Sequence, residues 1–377
     1  MDDWDAALLT KGISNNRQTH TSIRPRLIEP PHRATLAPGS QTHPETPMTP
    51  IDRRRFVQGG LLTAAGSALG PAAALACEDV SSEFGRRSTA DDVTAGLDLS
   101  GKTALVTGCN SGIGYETMRT LALRGAHVLG TARTLERGQE ACASVEGRAT
   151  PLVLELTEFE TAVQCAQQVR AMGAPLDILI CNAGAIFDEL WHVNGVEAHF
   201  VTNHLGHFVL VNQLLDLVVA APQGRVVIVG SRAHENAPDD GIQFDDLAGE
   251  SWFATQRAYG HSKLANGLHA LELARRLEGT RATANVVHPG VVRTNIARNL
   301  PAWQELAFRI AGYLFLKSSA QGAATTCYVA TNPDLQDVSG CYFADCNPDT
   351  PSASMQDTDM AARLWEVSEE LTRDFAA

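Results

Sequence analysis

Thr103-Ala104-Leu105-Val106-Thr107-Gly108-Cys109-Asn110-Ser111-Gly112-Ile113-Gly114 is the stretch whose reading decides the fold. TALVT reads as a short buried strand, and a helical pattern follows the last glycine. Gly108 permits a tight turn, Gly112 lets the backbone approach a phosphate, and Gly114 lets the helix pack closely on the strand. The helix N-terminus, with Ser111 and Ile113 between the glycines, then offers free N–H groups and partial positive charge to a pyrophosphate. Three glycines alone fit any flexible turn. Their place after a strand and before a helix makes them a nucleotide loop.

Outward from this loop the chain alternates. Thr103–Thr107, His127–Ala132, Pro151–Glu155, Ile178–Asn182, Arg225–Ser231 and Thr283–His288 read as buried strands. Between them, Ala162, Cys165, Ala166 and Val169 share a face of a helix over Phe159–Met172, and Leu264, Leu268, Leu271, Ala274 and Leu277 share another after Tyr259. Such alternation predicts an α/β fold: a single doubly wound parallel sheet (Rossmann fold) with helices on both faces. No repeat of 20–50 residues is visible, which excludes a solenoid.

The chain has 377 residues, 30 Lys plus Arg and 43 Asp plus Glu, a formal net charge of −13. The charge is uneven: residues 1–76 carry 8 basic and 6 acidic groups, so the leader is slightly basic and the body strongly acidic. An acidic body without long basic runs argues against a nucleic-acid partner. Residues 1–47 read as a disordered or non-native extension, with Met48 as a natural start. Residues 48–76 hold Arg53-Arg54-Arg55-Phe56, an uncharged Ala/Gly-rich run and Ala74-Leu75-Ala76. That is the order of an export signal, and its paired arginines resemble the twin-arginine type, which delivers folded proteins to the periplasm or cell envelope. A chain that keeps its leader uncleaved in the cytoplasm is the alternative. Residues 77–91 read as a linker and 92–377 as one nucleotide-binding catalytic domain.

Coenzyme choice depends on the second strand. Where an NAD binder places an acid, about 20 residues past the glycines, this chain has Gly130-Thr131-Ala132-Arg133. Arg133 suits a 2′-phosphate, so NADP(H) is favoured and NAD(H) stays open. Chemistry gathers at Tyr259-Gly260-His261-Ser262-Lys263. Tyr259 and Lys263 lie four apart on a helix and share a face. An ammonium nearby is expected to lower the phenol's pKa toward working pH, giving a general acid/base. Ser231 ends the fifth strand, at the crevice where ligands of such sheets bind.

With these motifs the sequence resembles the short-chain dehydrogenase/reductase family over about residues 92–375, and most closely its retinol-dehydrogenase and WW-domain-oxidoreductase branch. The resemblance makes Asn203, Ser231, Tyr259 and Lys263 the catalytic set, with Asn203 holding a relay water. It makes Asn182-Ala183-Gly184 a sheet-stabilising turn beside the coenzyme, and Glu155 an acid beside the adenine. His288-Pro289-Gly290-Val291-Val292-Arg293-Thr294 becomes the loop closing over the nicotinamide, through Pro289, Gly290, Val292 and Thr294. Tyr259 and Lys263 also contact the coenzyme. What the resemblance implies is alcohol–carbonyl interconversion on retinoid-, steroid- or lipid-aldehyde-like substrates, in a homo-oligomer. A silent nucleotide-sensing protein on the same fold is the competing reading, and the glycine spacing disfavours a sugar-nucleotide epimerase.

No Cys-x-x-Cys pair or His spacing suggests a metal. Cys165 and Cys181 read as core residues, and a Cys341–Cys346 cross-link is not expected. His204 and His207 read as structural. Segment 296–316, with Leu300, Trp303, Leu306, Phe308, Tyr313 and Phe315, is strongly apolar. It predicts a hydrophobic substrate, contact with a membrane surface, or packing on the body or a second subunit.

Overall fold

Strand β1 (Thr103–Val106) lies between β2 (His127–Ala132) and β4 (Ile178–Cys181), parallel to both. The structure is a computed structural model that describes Cys77, residues 80–292 and residues 316–377. The leader over 1–76, Thr294, and segment 296–316 apart from Leu316 lie outside the described residues.

The remaining strands are β3 (Arg148–Val153), a two-residue hairpin of β5 (His192–Val193) and β6 (Val196–Glu197), β7 (Arg225–Val229), β8 (Thr283–His288), β9 (Tyr342–Ala344) and β10 (Asn347–Pro348). In the main sheet they run β10-β9-β8-β7-β4-β1-β2-β3, parallel except for the β9–β10 hairpin. Side chains alternate across each strand. Leu105 of β1 therefore enters the core on one face with Phe208 and Leu268, while Ala104 and Val106 enter the core on the other with Met118 and Tyr328. Apolar residues on both faces are what a sheet covered by helices on both sides requires.

Those helices are α1 (Ala90–Val93), α2 (Gly112–Leu123), α3 (Leu135–Ala143), α4 (Phe159–Ala171), α5 (Ala198–Phe200), α6 (Gly206–Ala220), α7 (Thr255–Arg276), α8 (Ser319–Thr331) and α9 (Thr358–Leu371). Val201–Leu205, between α5 and α6, forms one π-turn. From β1 the chain winds outward through β2 to β3, then returns to β4 on the other side of β1. The crevice beyond the carboxyl ends of β1 and β4 is thus the switch point at which such sheets bind ligands.

The expected doubly wound sheet is present, and four structural details differ from expectation. Helix α7 begins at Thr255, so Tyr259 sits inside it rather than at its start. β9 adds a further parallel strand, too short at three residues to stand out by pattern. Residues 80–91, read above as a linker, lie against the body: Phe84 stacks edge-on to Tyr328 at 6.0 Å, and Asn347 accepts from the Ser82 N–H and donates to the Phe84 carbonyl. Finally, Cys77 is bonded to Cys341, with Cα atoms 5.8 Å apart. A bridge spanning 264 residues leaves no local spacing signal. Cys346 is free and buried.

Candidate active site

Thr107 ends β1 and ties three elements together. Its hydroxyl accepts the backbone N–H groups of Asn182 and Ala183, both at 2.9 Å, and donates to Nε2 of His207 at 2.9 Å. His207 in turn donates from Nδ1 to the Asn203 carbonyl at 3.2 Å. Burial holds this imidazole down at about 4, with the Asn203 bond opposing and Lys263 reinforcing the shift. His207 is therefore structural, as the sequence suggests, and links the glycine loop to the helix that carries Asn203.

The glycine loop fits a dinucleotide. A Cβ at Gly114 would stand 2.3 Å from the Gly108 carbonyl and 2.5 Å from the Asn182 amide, so only glycine allows the helix this close. Gly112 has φ +61 and open space where a Cβ would project. Ser111 caps α2 by backbone alone, its hydroxyl making no capping bond. The loop thus presents a helix N-terminus beside unobstructed space, the arrangement a phosphate needs. Asn182 donates to the Thr107 carbonyl at 2.8 Å, locking the Asn182-Ala183-Gly184 turn against β1.

Arg133 follows β2 and is exposed; among the described residues no carboxylate pairs with it. Thr131, two residues earlier, accepts the Gly108 and Cys109 N–H groups through its hydroxyl and carbonyl. Arg133 therefore stands at the rim of the loop. Glu155 lies just past β3, and its carboxylate accepts from the Thr157 N–H and hydroxyl, closing its own turn.

At the carboxyl end of β7, Ser231 accepts the Ala233 N–H at 3.1 Å, and its hydroxyl lies near that of Tyr259. Burial raises the Tyr259 pKa, and the nearby Ser231 hydroxyl only partly offsets it. The expected lowering by Lys263 is not found. The Lys263 ammonium lies 5.7 Å from the Tyr259 ring centroid and donates to the Val229 carbonyl at 3.0 Å. Burial pushes that ammonium down to about 8. Desolvation disfavours the charged form of both groups, so at this separation it outweighs their attraction.

Asn203 is fastened by its side-chain amide. Its amide accepts the Ala185 N–H at 2.8 Å and donates to the Ala185 carbonyl at 3.0 Å and to the Ser262 hydroxyl at 2.9 Å. Ser262 donates to the Tyr259 carbonyl at 2.7 Å. Both amide protons are thus committed to protein partners, so Asn203 positions residue 185 against the tyrosine helix. The π-turn re-aims it there, a use to which such turns are often put. A Cβ on Gly184 would stand 3.1 Å from Asn203 Oδ1 and 3.5 Å from Lys263 Nζ, which brings turn, asparagine and lysine together.

The loop after β8 is described as far as Val292. Gly290, at φ +86, lies on the Lys317 stem, where a Cβ would be 2.8 Å from Cδ. Val292 and Ile113 pack around Gly322 of α8, joining the two loops. Two groups were not visible to motif reasoning. The Lys317 ammonium, nearly buried, pairs with Asp345 at 2.7 Å. Glu197 and His199 form a buried pair at 2.6 Å on the approach to Tyr259. The alternation of Glu-x-His before an apolar helix was the available signal for the second; Lys317 and Asp345, far apart in sequence, offered none. No group of three or more His, Cys, Asp or Glu that suits a metal occurs among the described residues.

Residues 102–305 match the short chain dehydrogenase family. This chain belongs to that family. It is 41% identical over 300 residues to short-chain dehydrogenase TIC 32 A, chloroplastic, of Brassica napus, covering 76% of this chain and 93% of that one. Retinol dehydrogenase 14 of Mus musculus is 36% identical over 289 residues, covering 72% of this chain and 86% of that one. WW domain-containing oxidoreductases are also relatives, so the chain groups with the retinol-dehydrogenase and WW-domain-oxidoreductase branch. Among solved structures, the Pseudomonas aeruginosa RhlG/NADP complex superposes with TM-score 0.52 at 27% identity, covering 66% of this chain and 96% of that one. The short-chain dehydrogenase is accordingly an oxidoreductase of CH–OH groups in small molecules, of a family that binds NAD(P).

Proposed function

We propose that the enzyme is an NADP(H)-dependent oxidoreductase interconverting an alcohol and an aldehyde or ketone on an apolar small molecule. The observation that carries this is the convergence at the end of β7: the Ser231 hydroxyl near the Tyr259 hydroxyl, with Lys263 one turn further along the same helix. A bound nicotinamide coenzyme supplies or accepts the hydride. Ser231 and Tyr259 grip the substrate oxygen. Because burial keeps the phenol protonated, Tyr259 is set to donate a proton to that oxygen in reduction and to recover it in oxidation. Lys263 holds positive charge beside the ring, and Asn203 keeps residue 185 in place. An apolar substrate is supported by the exposed Ile186, Trp191 and Val291 on segments that border the site, an apolar rim of the kind that marks binding grooves.

NADP(H) is supported by Arg133 at the loop rim with no carboxylate of its own. Arg137, four residues on, lines a cleft of about 330 Å³ with Asn110 of the glycine loop. Arg133→Asp is expected to weaken NADPH relative to NADH by at least about tenfold in kcat/KM, since a lost charge-assisted bond is worth about 1.5–3 kcal/mol. Unchanged selectivity in paired assays would remove Arg133 from coenzyme recognition.

The leader is read as a twin-arginine export signal. The Cys77–Cys341 bridge just after it supports an oxidising destination, because such bonds seldom persist in a reducing cytosol. In a bacterial host with this export route, a tagged chain carrying Arg53→Lys and Arg54→Lys is expected to stay in the cytoplasm with both cysteines open to thiol labelling. An unchanged compartment would sink the export reading.

A further inference from the structure

Five polar contacts fasten residues 185–191 between the Asn-Ala-Gly turn and the mouth of the site. Two are the Ala185 bonds to Asn203 described above. The Asp188 carbonyl accepts from the Thr255 hydroxyl at 3.0 Å, and the Trp191 carbonyl accepts the Ala198 N–H at 3.1 Å. The fifth is unusual: the Phe187 N–H donates to Nε2 of His199 at 2.8 Å.

That bond sets the tautomer of His199. Nε2 must offer its lone pair, so the proton resides on Nδ1 and is donated to Glu197 Oε1 at 2.6 Å. The same carboxylate accepts the backbone N–H groups of His199 and Phe200 at 2.9 and 3.1 Å. Burial raises the Glu197 pKa, and these hydrogen bonds more than offset it, holding the group below its ordinary value. Both side chains are inaccessible to solvent. The imidazole stands between two partners: its ring centre lies 5.0 Å from that of Phe187 and 6.3 Å, edge-on, from that of Tyr259. Phe187 stacks edge-on to Trp191 at 5.1 Å, and on this segment Ile186 and Trp191 are 50% and 41% exposed. An ionised carboxylate is expensive to bury, and fixing the orientation of one imidazole is a use that justifies it.

We propose that Glu197 and His199 are a positioning pair that fixes residues 185–191 as the wall on which the apolar body of the substrate rests, so that the pair sets substrate selectivity without touching the reacting atoms. This deepens the oxidoreductase reading given above and depends on it for its kinetic half.

Hydrogen exchange and kinetics on the full-length oxidised protein test it together. In His199→Phe the peptide containing Phe187 is expected to exchange at least about tenfold faster, the loss expected for one buried hydrogen bond. Peptides from β1 and β7 are expected to stay unchanged, as is NADPH binding followed by fluorescence. KM for a long-chain aldehyde is expected to rise by about tenfold with kcat within about threefold, while a short hydrophilic aldehyde shows little change. His199→Gln, whose amide oxygen can accept the Phe187 N–H, is expected to recover most of both effects. Unchanged exchange at Phe187 overturns the pair whatever the kinetics show. Faster exchange with equal effects on long and short aldehydes, or with no recovery by Gln, leaves a packing residue and overturns the selectivity role. Faster exchange in a protein whose wild type turns over no carbonyl overturns the selectivity role through failure of the oxidoreductase reading, not of the wall contacts.

Discussion

Tyr259→Phe is expected to lower kcat by about 10³-fold, within the range contributed by a positioned general acid/base, while NADPH binds as before. The phenol oxygen lies near the Ser231 hydroxyl, at the carboxyl edge of the sheet. Phenylalanine keeps the ring and its edge-on contact with His199, so packing has little reason to change. What is lost is the hydroxyl with its exchangeable proton. Lys263 cannot replace it, because its ammonium is held by the Val229 carbonyl, 5.7 Å from the ring centroid. Steady-state rates with NADPH, set beside coenzyme titration by fluorescence, separate the two effects. A rate within tenfold of wild type would take Tyr259 out of the mechanism.

The second large effect concerns stability. His204, His207, His261 and His269 are each at most 2% exposed, and His204, His261 and His269 pack against Phe200, Phe208, Trp252 and Trp365. Burial pushes His204 well below its ordinary value, with its neighbouring histidines adding to the shift. It takes His207 and His261 down to about 4 and His269 to about 3. Among the described residues, Nδ1 of His204 and Nε2 of His269 have no partner to steady a second proton, and Nε2 of His261 already accepts the Gln243 N–H. In the unfolded chain each imidazole takes up a proton near 6.5, and in the folded protein not until much lower pH. Unfolding therefore consumes protons as the pH falls below about 6.5. Stability is complete above that value and lost toward pH 4, by up to about 1.4 kcal/mol per pH unit for each histidine. Four together reach at most about 11 kcal/mol over two units, comparable to the reserve of about 5–15 kcal/mol of a typical domain. A steep fall in Tm between pH 6.5 and 5 is expected, with the slope reduced by about one proton in His269→Leu. A Tm flat over that interval would contradict a neutral histidine core.

Much of this was legible from the residues. Strands β1, β2, β4, β7 and β8 announce themselves because a sheet buried on both faces demands short runs rich in aliphatic residues. The glycine loop is equally plain, since a Cβ at Gly114 would collide with the Gly108 carbonyl. Tyr259 and Lys263 follow from helical spacing. What stayed hidden depends on distance in sequence or on desolvation. Cys77 meets Cys341 across a separation of 264 residues. Glu197 and His199 look like surface polar residues until the hairpin and α5 close over them. The upward push on Tyr259 could not be read from a neighbouring lysine, because spacing reports proximity and says nothing of how much water both groups lose.

The central claim is hydride transfer between a nicotinamide coenzyme and an apolar carbonyl. Absorbance at 340 nm, followed while the wild-type protein is mixed with NADPH and a panel of aldehydes, ketones and quinones, tests it most directly. Consumption of NADPH with at least one long-chain or polycyclic carbonyl, matched mole for mole by alcohol formed, is the expected result. Tight NADPH binding with no consumption against any member of the panel would contradict the claim and favour a nucleotide-sensing protein on the same fold.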